Sequence, residues 1–336
     1  MLVGKCLISR LLVFSDLTTD TQIIIFHRNW SWYLPYVLHQ ARATCPRSEV
    51  LLIGEVAVPG FPLLPLNSFV NSKRANAFQR CYQHMSTNSE AYELFCYLRW
   101  FYLLDYMEAR GLERALHLDS DFLLYGSMEE LARSHPVDAG QSGFSIPDEP
   151  HESLVWLASG HIALFTVEAL RRFCDFAAAT FTEERWLSQY RYKWQYHGVS
   201  RPGGICDMTT LYFFYREHPE AVVNFAEERD GAVFDRQFNL AANHSKDEYQ
   251  LWNGVKRVEL GRGPPTIFRT DGRPVRALGF HFQGGNKLQI PHYYLGPSFP
   301  GKTLSDLQAA YLRTTHLKRW VRAVTRRLTF YYVEAP

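Results

Sequence analysis

The sequence has no Cys-x-x-Cys pair: its six cysteines, Cys6, Cys45, Cys81, Cys96, Cys174 and Cys206, stand far apart. That spacing suggests neither a cysteine-built zinc site nor a disulfide framework, so a reducing cytoplasm is the expected setting. The chain also lacks any run of about 18 apolar residues, the minimum for a membrane-spanning helix. Even the apolar passage from Phe95 to Met107 is broken by Arg99 and Asp105. No block of like charge precedes the C-terminal end, and a formal charge of +2 is too small a field to draw the chain onto nucleic acid. Met1 to Phe14 mixes Lys5 and Arg10 into a short apolar stretch without a small-residue cleavage site, and reads as mature protein.

What is present is a chain of 336 residues, able to bury a full α/β core without staples. A single domain is expected over 1–300, with a nucleotide-binding half at 1–125 and an acceptor-side, metal-completing half at 126–300. A C-terminal helix follows at 301–336. Aromatic residues make up 15% with eight tryptophans, a surplus that serves core packing first and stacking pockets second.

Strand and helix patterns alternate through the first half. Thr21–Phe26 is a β-branched apolar run, Trp32–Ala43 has helical spacing, and Glu49–Gly54 is a second strand. Such βαβ units build a mostly parallel central sheet flanked by helices. Pro59–Pro65 reads as loop. Glu90–Arg110 is a long helix closed by Gly111, and Ala115–Leu118 is a strand that runs directly into Asp119-Ser120-Asp121. Further on, Gly160–Phe165 is expected as a strand and Thr166–Thr180 as a helix capped by Thr166. Gly203-Gly204 is a turn before the helix Met208–Tyr215, and Asn224–Arg276 is a region of loops and short strands. Thr303–Phe330 repeats apolar residues at helical spacing while carrying Arg313, Lys318, Arg319, Arg322, Arg326 and Arg327. A basic, aromatic-edged helix of this kind is expected either to dock on the core or to touch an anionic membrane surface.

Two segments carry chemistry. In an open α/β sheet, ligands bind beyond the carboxyl ends of the strands, so Asp119 and Asp121 stand where a diphosphate would be held through a divalent cation. A chain of this length yields about one Asp-x-Asp by chance; the strand ahead of it gives the motif its weight. The second segment, Phe280-His281-Phe282-Gln283-Gly284-Gly285-Asn286-Lys287, offers an imidazole for the same cation, glycines for close backbone approach and a lysine for a phosphoryl oxygen. Mn²⁺ or Mg²⁺ suits such a ligand set.

Together these segments resemble the retaining glycosyltransferases typified by glycogenin and the bacterial lipopolysaccharide galactosyltransferases, which pair an Asp-x-Asp with a late His-x-x-Gly-x-x-Lys. His281, Gly284 and Lys287 match that late pattern. Asn29-Trp30-Ser31-Trp32-Tyr33-Leu34 is similar to the family's Asn-Tyr-x-x-Tyr-Leu, whose first aromatic stacks on the uracil, which implies that role for Trp30. Arg99 matches an arginine that reaches the donor sugar and diphosphate. Ala158-Ser159-Gly160 resembles Asn-Ala/Ser-Gly at the floor of the donor-sugar site, and Cys206-Asp207-Met208 resembles the stretch beneath the anomeric carbon.

The resemblance implies an A-type glycosyltransferase fold with metal ligands Asp119, Asp121 and His281. Catalytic roles fall to Asp207 and Arg99, and substrate contacts to Asn29, Trp30, Ser120, Ser159, Gly160, Gly284 and Lys287. A nucleotide-sugar donor, a UDP-sugar by resemblance, and a carbohydrate or lipid-linked glycan acceptor are the implied partners. The chain departs from the family at His27-Arg28, where paired acids are usual, at Met208 for Gln, at Ala158 for Asn and at Leu288-Gln289 for Pro-Trp. An inverting enzyme of the same fold, using Asp148 or Glu149 as a general base, is the nearest alternative. An inactive carbohydrate-binding relative is another. A sugar-phosphate nucleotidyltransferase would open with a Gly-rich basic loop, which His27–Trp32 is not.

Overall fold

The computed structural model describes residues 21–197 and 202–315. In chain order the elements are β1 (Gln22–His27), α1 (Leu34–Thr44), β2 (Val50–Gly54), β3 (Leu63–Pro65), α2 (Lys73–Cys81), α3 (Glu90–Arg110), β4 (Arg114–Leu118), β5 (Phe122–Leu124), α4 (Met128–Ser134), β6 (Ser142–Ser145), β7 (Ser159–Thr166), α5 (Val167–Thr182), α6 (Glu184–His197), α7 (Asp207–Glu217), β8 (Val222–Asn224), β9 (Ala232–Phe234), β10 (Leu251–Trp252), β11 (Val255–Lys256), β12 (Val258–Glu259), β13 (Thr266–Phe268), β14 (Pro274–His281) and the short α8 (Ile290–Tyr293).

The larger sheet runs β3-β2-β1-β4-β7-β6-β8. Strands β3, β2, β1 and β4 are parallel, β7 is antiparallel to both β4 and β6, and β8 runs parallel to β6. Ile23, Ile24 and Ile25 of β1 are all fully buried because both faces of this sheet are covered. Ile23 and Ile25 join a core with α1 and the smaller sheet, while Ile24 and Phe26 join another with α2, α3, α5 and α7. This is the expected α/β architecture, a mostly parallel central sheet flanked by helices.

The smaller sheet runs β12-β13-β14-β5, with β9 added parallel to β14. Three residues, 119–121, carry the chain from β4 in the larger sheet to β5 in the smaller one.

Local signals explain the boundaries. Gly111 ends α3 at φ 65°, the left-handed conformation that glycine takes at no steric cost. Thr166 caps α5 by accepting the Ala169 N–H. Ser127 and Glu130 form a reciprocal capping box on α4.

The passage expected as loop at Pro59–Pro65 is corrected at its end: Leu63–Pro65 pairs in parallel with β2 as an edge strand, where a proline is tolerated. Of the C-terminal helix, residues 302–315 are helical; its remainder, with Lys318 to Arg327, lies outside the described residues, as do Met1 to Phe14 and Cys6. Among the described residues no helix is long and apolar enough to cross a membrane.

Candidate functional site

Asp119 follows β4, and its N–H donates to His161 O on β7 at 2.8 Å. Asp121 precedes β5, and its carbonyl accepts the Phe282 N–H at 3.0 Å. His281 closes β14 opposite Phe122, so the antiparallel pairing of β14 with β5 brings the late histidine to the early acids. One ligand atom from each of Asp119, Asp121 and His281 lies within 4.8 Å of the others. His281 Nε2 is 3.5 Å from Asp121 Oδ1. The ring's Nδ1 lies 2.8 Å from Arg236 O. A carbonyl can only accept, so Nδ1 carries the proton of the neutral ring and Nε2 is left facing the acids. Two carboxylates and one imidazole at this spacing fit a divalent ion such as Mn²⁺ or Mg²⁺.

Two fixed cations complete the cluster. Arg99, on α3, donates from one nitrogen to Asp119 Oδ1 at 2.6 Å and from another to Asp207 Oδ2 at 2.8 Å. Trp100 Nε1 donates to the same Asp207 oxygen at 2.9 Å. Lys287 Nζ lies 2.7 Å from Asp121 Oδ2. Burial opposes the charge on Asp119, but Arg99, His117 and His281 outweigh it and hold that carboxyl far below its ordinary value. Asp121 is lowered against burial by His281 and Lys287. His281 is raised, because Asp121 and Asp119 overcome its desolvation.

Arg99, Asp119, Asp121 and Lys287 line a cleft of about 480 Å³ together with Asn29 and Ser120 among others, with Tyr33, Tyr92 and Phe95 as aromatic walls, while His281 is buried beside the acids and outside the lining. The volume of the cleft suits a small ligand. Trp30 is not among the lining residues and is 48% exposed. Ser159 and Gly160 lie behind the cleft wall. Ser159 Oγ meets His161 Nδ1 at 2.8 Å, and Gly160 packs so tightly that a Cβ there would stand 2.7 Å from Trp100 Cζ2. Gly284 takes a left-handed φ of 61° with open space around it, outside the lining. Asp207 is buried and reaches the cleft through Arg99. Asp148 and Glu149 do not line it.

Three further histidines join the site; the sequence marked His27 only as a departure from the family pattern and did not single out His117 or His161. His27, at the end of β1, bridges Ser120 Oγ at 2.9 Å and Ser31 Oγ at 3.0 Å, and burial lowers its pKa. His117 lies between Ile24 O and Asp119 Oδ1, 3.2 Å from each. A signal for it existed: two residues before Asp119 on a strand, it must share that residue's face. His161 stacks on His281, and its own Nε2 is buried with no partner.

No protein-family model matches the chain, and no curated protein matches it. Solved structures that superpose on it include an active-site mutant of LgtC, at 14% identity over 84% of this chain and 99% of that one with TM-score 0.43. Mouse xyloside xylosyltransferase 1 in its apo form aligns at 12% identity over 60% of this chain and 84% of that one, TM-score 0.40. The PaToxG glycosyltransferase aligns at 12% over 63% and 78%, TM-score 0.36. At TM-scores this low a superposition does not decide function.

Proposed function

We propose that this chain is a metal-dependent glycosyltransferase that moves a sugar from a nucleotide-sugar to a hydroxyl of a carbohydrate or lipid-linked glycan. The observation that carries this reading is the convergence of His281 on Asp119 and Asp121, two acids that line one cleft together with Arg99 and Lys287. UDP-sugars are the first donors to test, and the departure at His27-Arg28 makes the base the feature most open to change.

Asp119, Asp121 and His281 would hold a divalent ion, whose Lewis acidity would neutralise the departing diphosphate. Lys287 supplies a point charge to a phosphoryl oxygen, and Arg99, fixed from behind by Asp207, aims its guanidinium at the same face. The bond from the anomeric carbon to the diphosphate oxygen breaks with its electron pair leaving on that oxygen. The acceptor hydroxyl bonds to the oxocarbenium-like carbon, and its proton passes to the departing oxygen. Among the described residues lining the cleft, the carboxylates are Asp119 and Asp121, both already engaged by cations. Attack from the leaving-group face, with retention of configuration, is the course we propose, and product stereochemistry decides between it and inversion.

Calorimetric titration with UDP-glucose, UDP-galactose and UDP-xylose, with Mn²⁺ and with chelator, tests the reading. Tighter binding of at least one donor in Mn²⁺, lost in Asp121→Asn, is the expected result. Binding of every donor unchanged by Mn²⁺ would overturn it.

A contact with membrane is a separate part of the proposal, favoured by one observation. Leu304, Leu307 and Tyr311 lie at i, i+3, i+7 on the helix 302–315 and are 72%, 62% and 67% exposed. This row and the basic residues after it suit an anionic lipid surface, where a lipid-linked acceptor would be met. Replacing all three with serine should abolish sedimentation with phosphatidylglycerol vesicles; unchanged sedimentation removes the membrane contact.

A further inference from the structure

One short segment grips His281 at three points. The His281 carbonyl accepts the Phe238 N–H at 3.1 Å, its N–H donates to Asp235 Oδ2 at 3.4 Å, and its ring Nδ1 donates to Arg236 O at 2.8 Å. The direction in which Nε2 points is therefore fixed by where residues 235–238 stand.

That segment is itself held by Lys256 and Asn243, neither of which lines the cleft. Lys256 Nζ, on β11, lies 2.6 Å from Asp235 Oδ1, 2.8 Å from Gln237 O and 3.4 Å from Ala242 O. The Lys256 N–H donates to Phe238 O at 2.9 Å. Asn243 adds a second tether: its Oδ1 accepts the Arg236 N–H at 2.7 Å, while its Nδ2 donates to Ala226 O and Phe234 O. The Lys256 and Asp235 side chains have no exposed surface at all.

Removing a lysine and an aspartate from water is costly, and an apolar pair of similar volume often serves stability as well or better. Stability therefore gives no reason for the pair, whereas geometry does. The ammonium draws together a carboxylate and two carbonyls of the one loop that sets the imidazole, and does so without touching the cleft.

We propose that Lys256 and Asp235 are positioning residues that orient His281 so that its Nε2 faces Asp119 and Asp121. The inference rests on the reading of His281 as a metal ligand. The partners that hold a ligating histidine by its other nitrogen are part of a metal site's affinity, and their loss typically costs about 10- to 100-fold.

The test is the near-isosteric double variant Lys256→Met/Asp235→Asn, in the full chain, with Lys256→Gln as a milder second variant should the double one fail to fold. Nitrogen-15 spectra of the histidine rings, recorded at a pH where His281 is neutral and assigned by comparison with His281→Gln, give the first readout. The wild type should show His281 protonated on Nδ1 alone, and a folded variant should show both tautomers. Mn²⁺ titration gives the second, with an expected loss of about 10- to 100-fold in affinity. Ring spectra unchanged in a folded variant would overturn the positioning role. A wild type that binds no Mn²⁺ would instead sink the metal reading, with the ring spectra still deciding whether Lys256 and Asp235 set His281.

Discussion

The rings of His161 and His281 lie parallel to within 2°, their centroids 4.5 Å apart. His161 thus supports the flat face of the imidazole while residues 235–238 fix its edge. Burial, reinforced by the neighbouring His281, pushes the pKa of His161 well below the ordinary histidine value, so it stacks as a neutral ring. Its Nε2 has no partner, whereas its Nδ1 meets Ser159. His161→Phe removes one orphaned polar atom and creates another on Ser159, so the stability change should stay within about 1 kcal/mol. His161→Ala should cost about 3 kcal/mol through the cavity it leaves and should weaken Mn²⁺ binding, which the Phe variant preserves. Urea unfolding and Mn²⁺ titration of the two variants check this; equal metal affinity in both would show that the stack does not hold His281 in place.

Asp207 acts behind Arg99 and not in the cleft. Asp207→Asn keeps an oxygen for the Trp100 N–H but removes the charge that anchors the guanidinium. Turnover should fall by at least about tenfold while donor affinity changes little, the pattern of an interaction that matters most in the transition state. Steady-state kinetics with a donor series would show it. An equal loss in affinity and turnover would mean that Asp207 serves binding only.

Lys193 carries a pH dependence. Its ammonium is buried on Val155 O, Trp156 O and Thr209 Oγ1 with no carboxylate among these partners, and burial lowers its pKa to about 8. Between that value and the ordinary one near 10.5 the unfolded chain holds a proton that the folded chain has released. Stability therefore rises with pH through this window, and the gain is lost as pH falls through about 8. The span corresponds to about 3 kcal/mol. Buried tyrosines and cysteines titrate in the opposite sense, so the measurement is a difference: urea midpoints of the wild type and Lys193→Met from pH 7.5 to 10.5, roughly the window over which the linkage acts. The wild type should gain on the variant as pH rises, and parallel curves would contradict the shift.

Gly160 connects packing to chemistry. A methyl group at this position would press on Trp100, whose indole N–H holds Asp207. Gly160→Ala should destabilise the fold by about 1–3 kcal/mol, as overpacked cores do, and should lower turnover in parallel. A variant as stable and active as the wild type would show that Trp100 has room to move.

The first half of the chain was readable because its elements are long and its patterns regular. Ile23 to Phe26 needed only hydrophobicity to be seen as a buried strand, and Gly111 marked the end of α3. The acid pair was found because a strand ran directly into it. His281 was reached through a motif, since the pairing of β14 with β5 joins residues too far apart for any periodicity to report.

The region from Asn224 to Arg276 gave little, because β9 to β13 are two or three residues long and a period of two cannot establish itself over so few positions. Asp235 and Lys256 were invisible for that reason: each is one charge in an irregular stretch, and only folding shows that water is excluded from both. Trp30 rests on its place in a motif, and its indole stands half exposed.

The step from β4 to β5 gives the site an unusual mechanical standing. Asp119 hangs from one sheet and Asp121 from the other, so an ion seated between them would act as a rivet through a seam. Its grip would then follow the tilt between the two sheets, and a substitution that shifts one sheet against the other would reach the ion without touching the cleft.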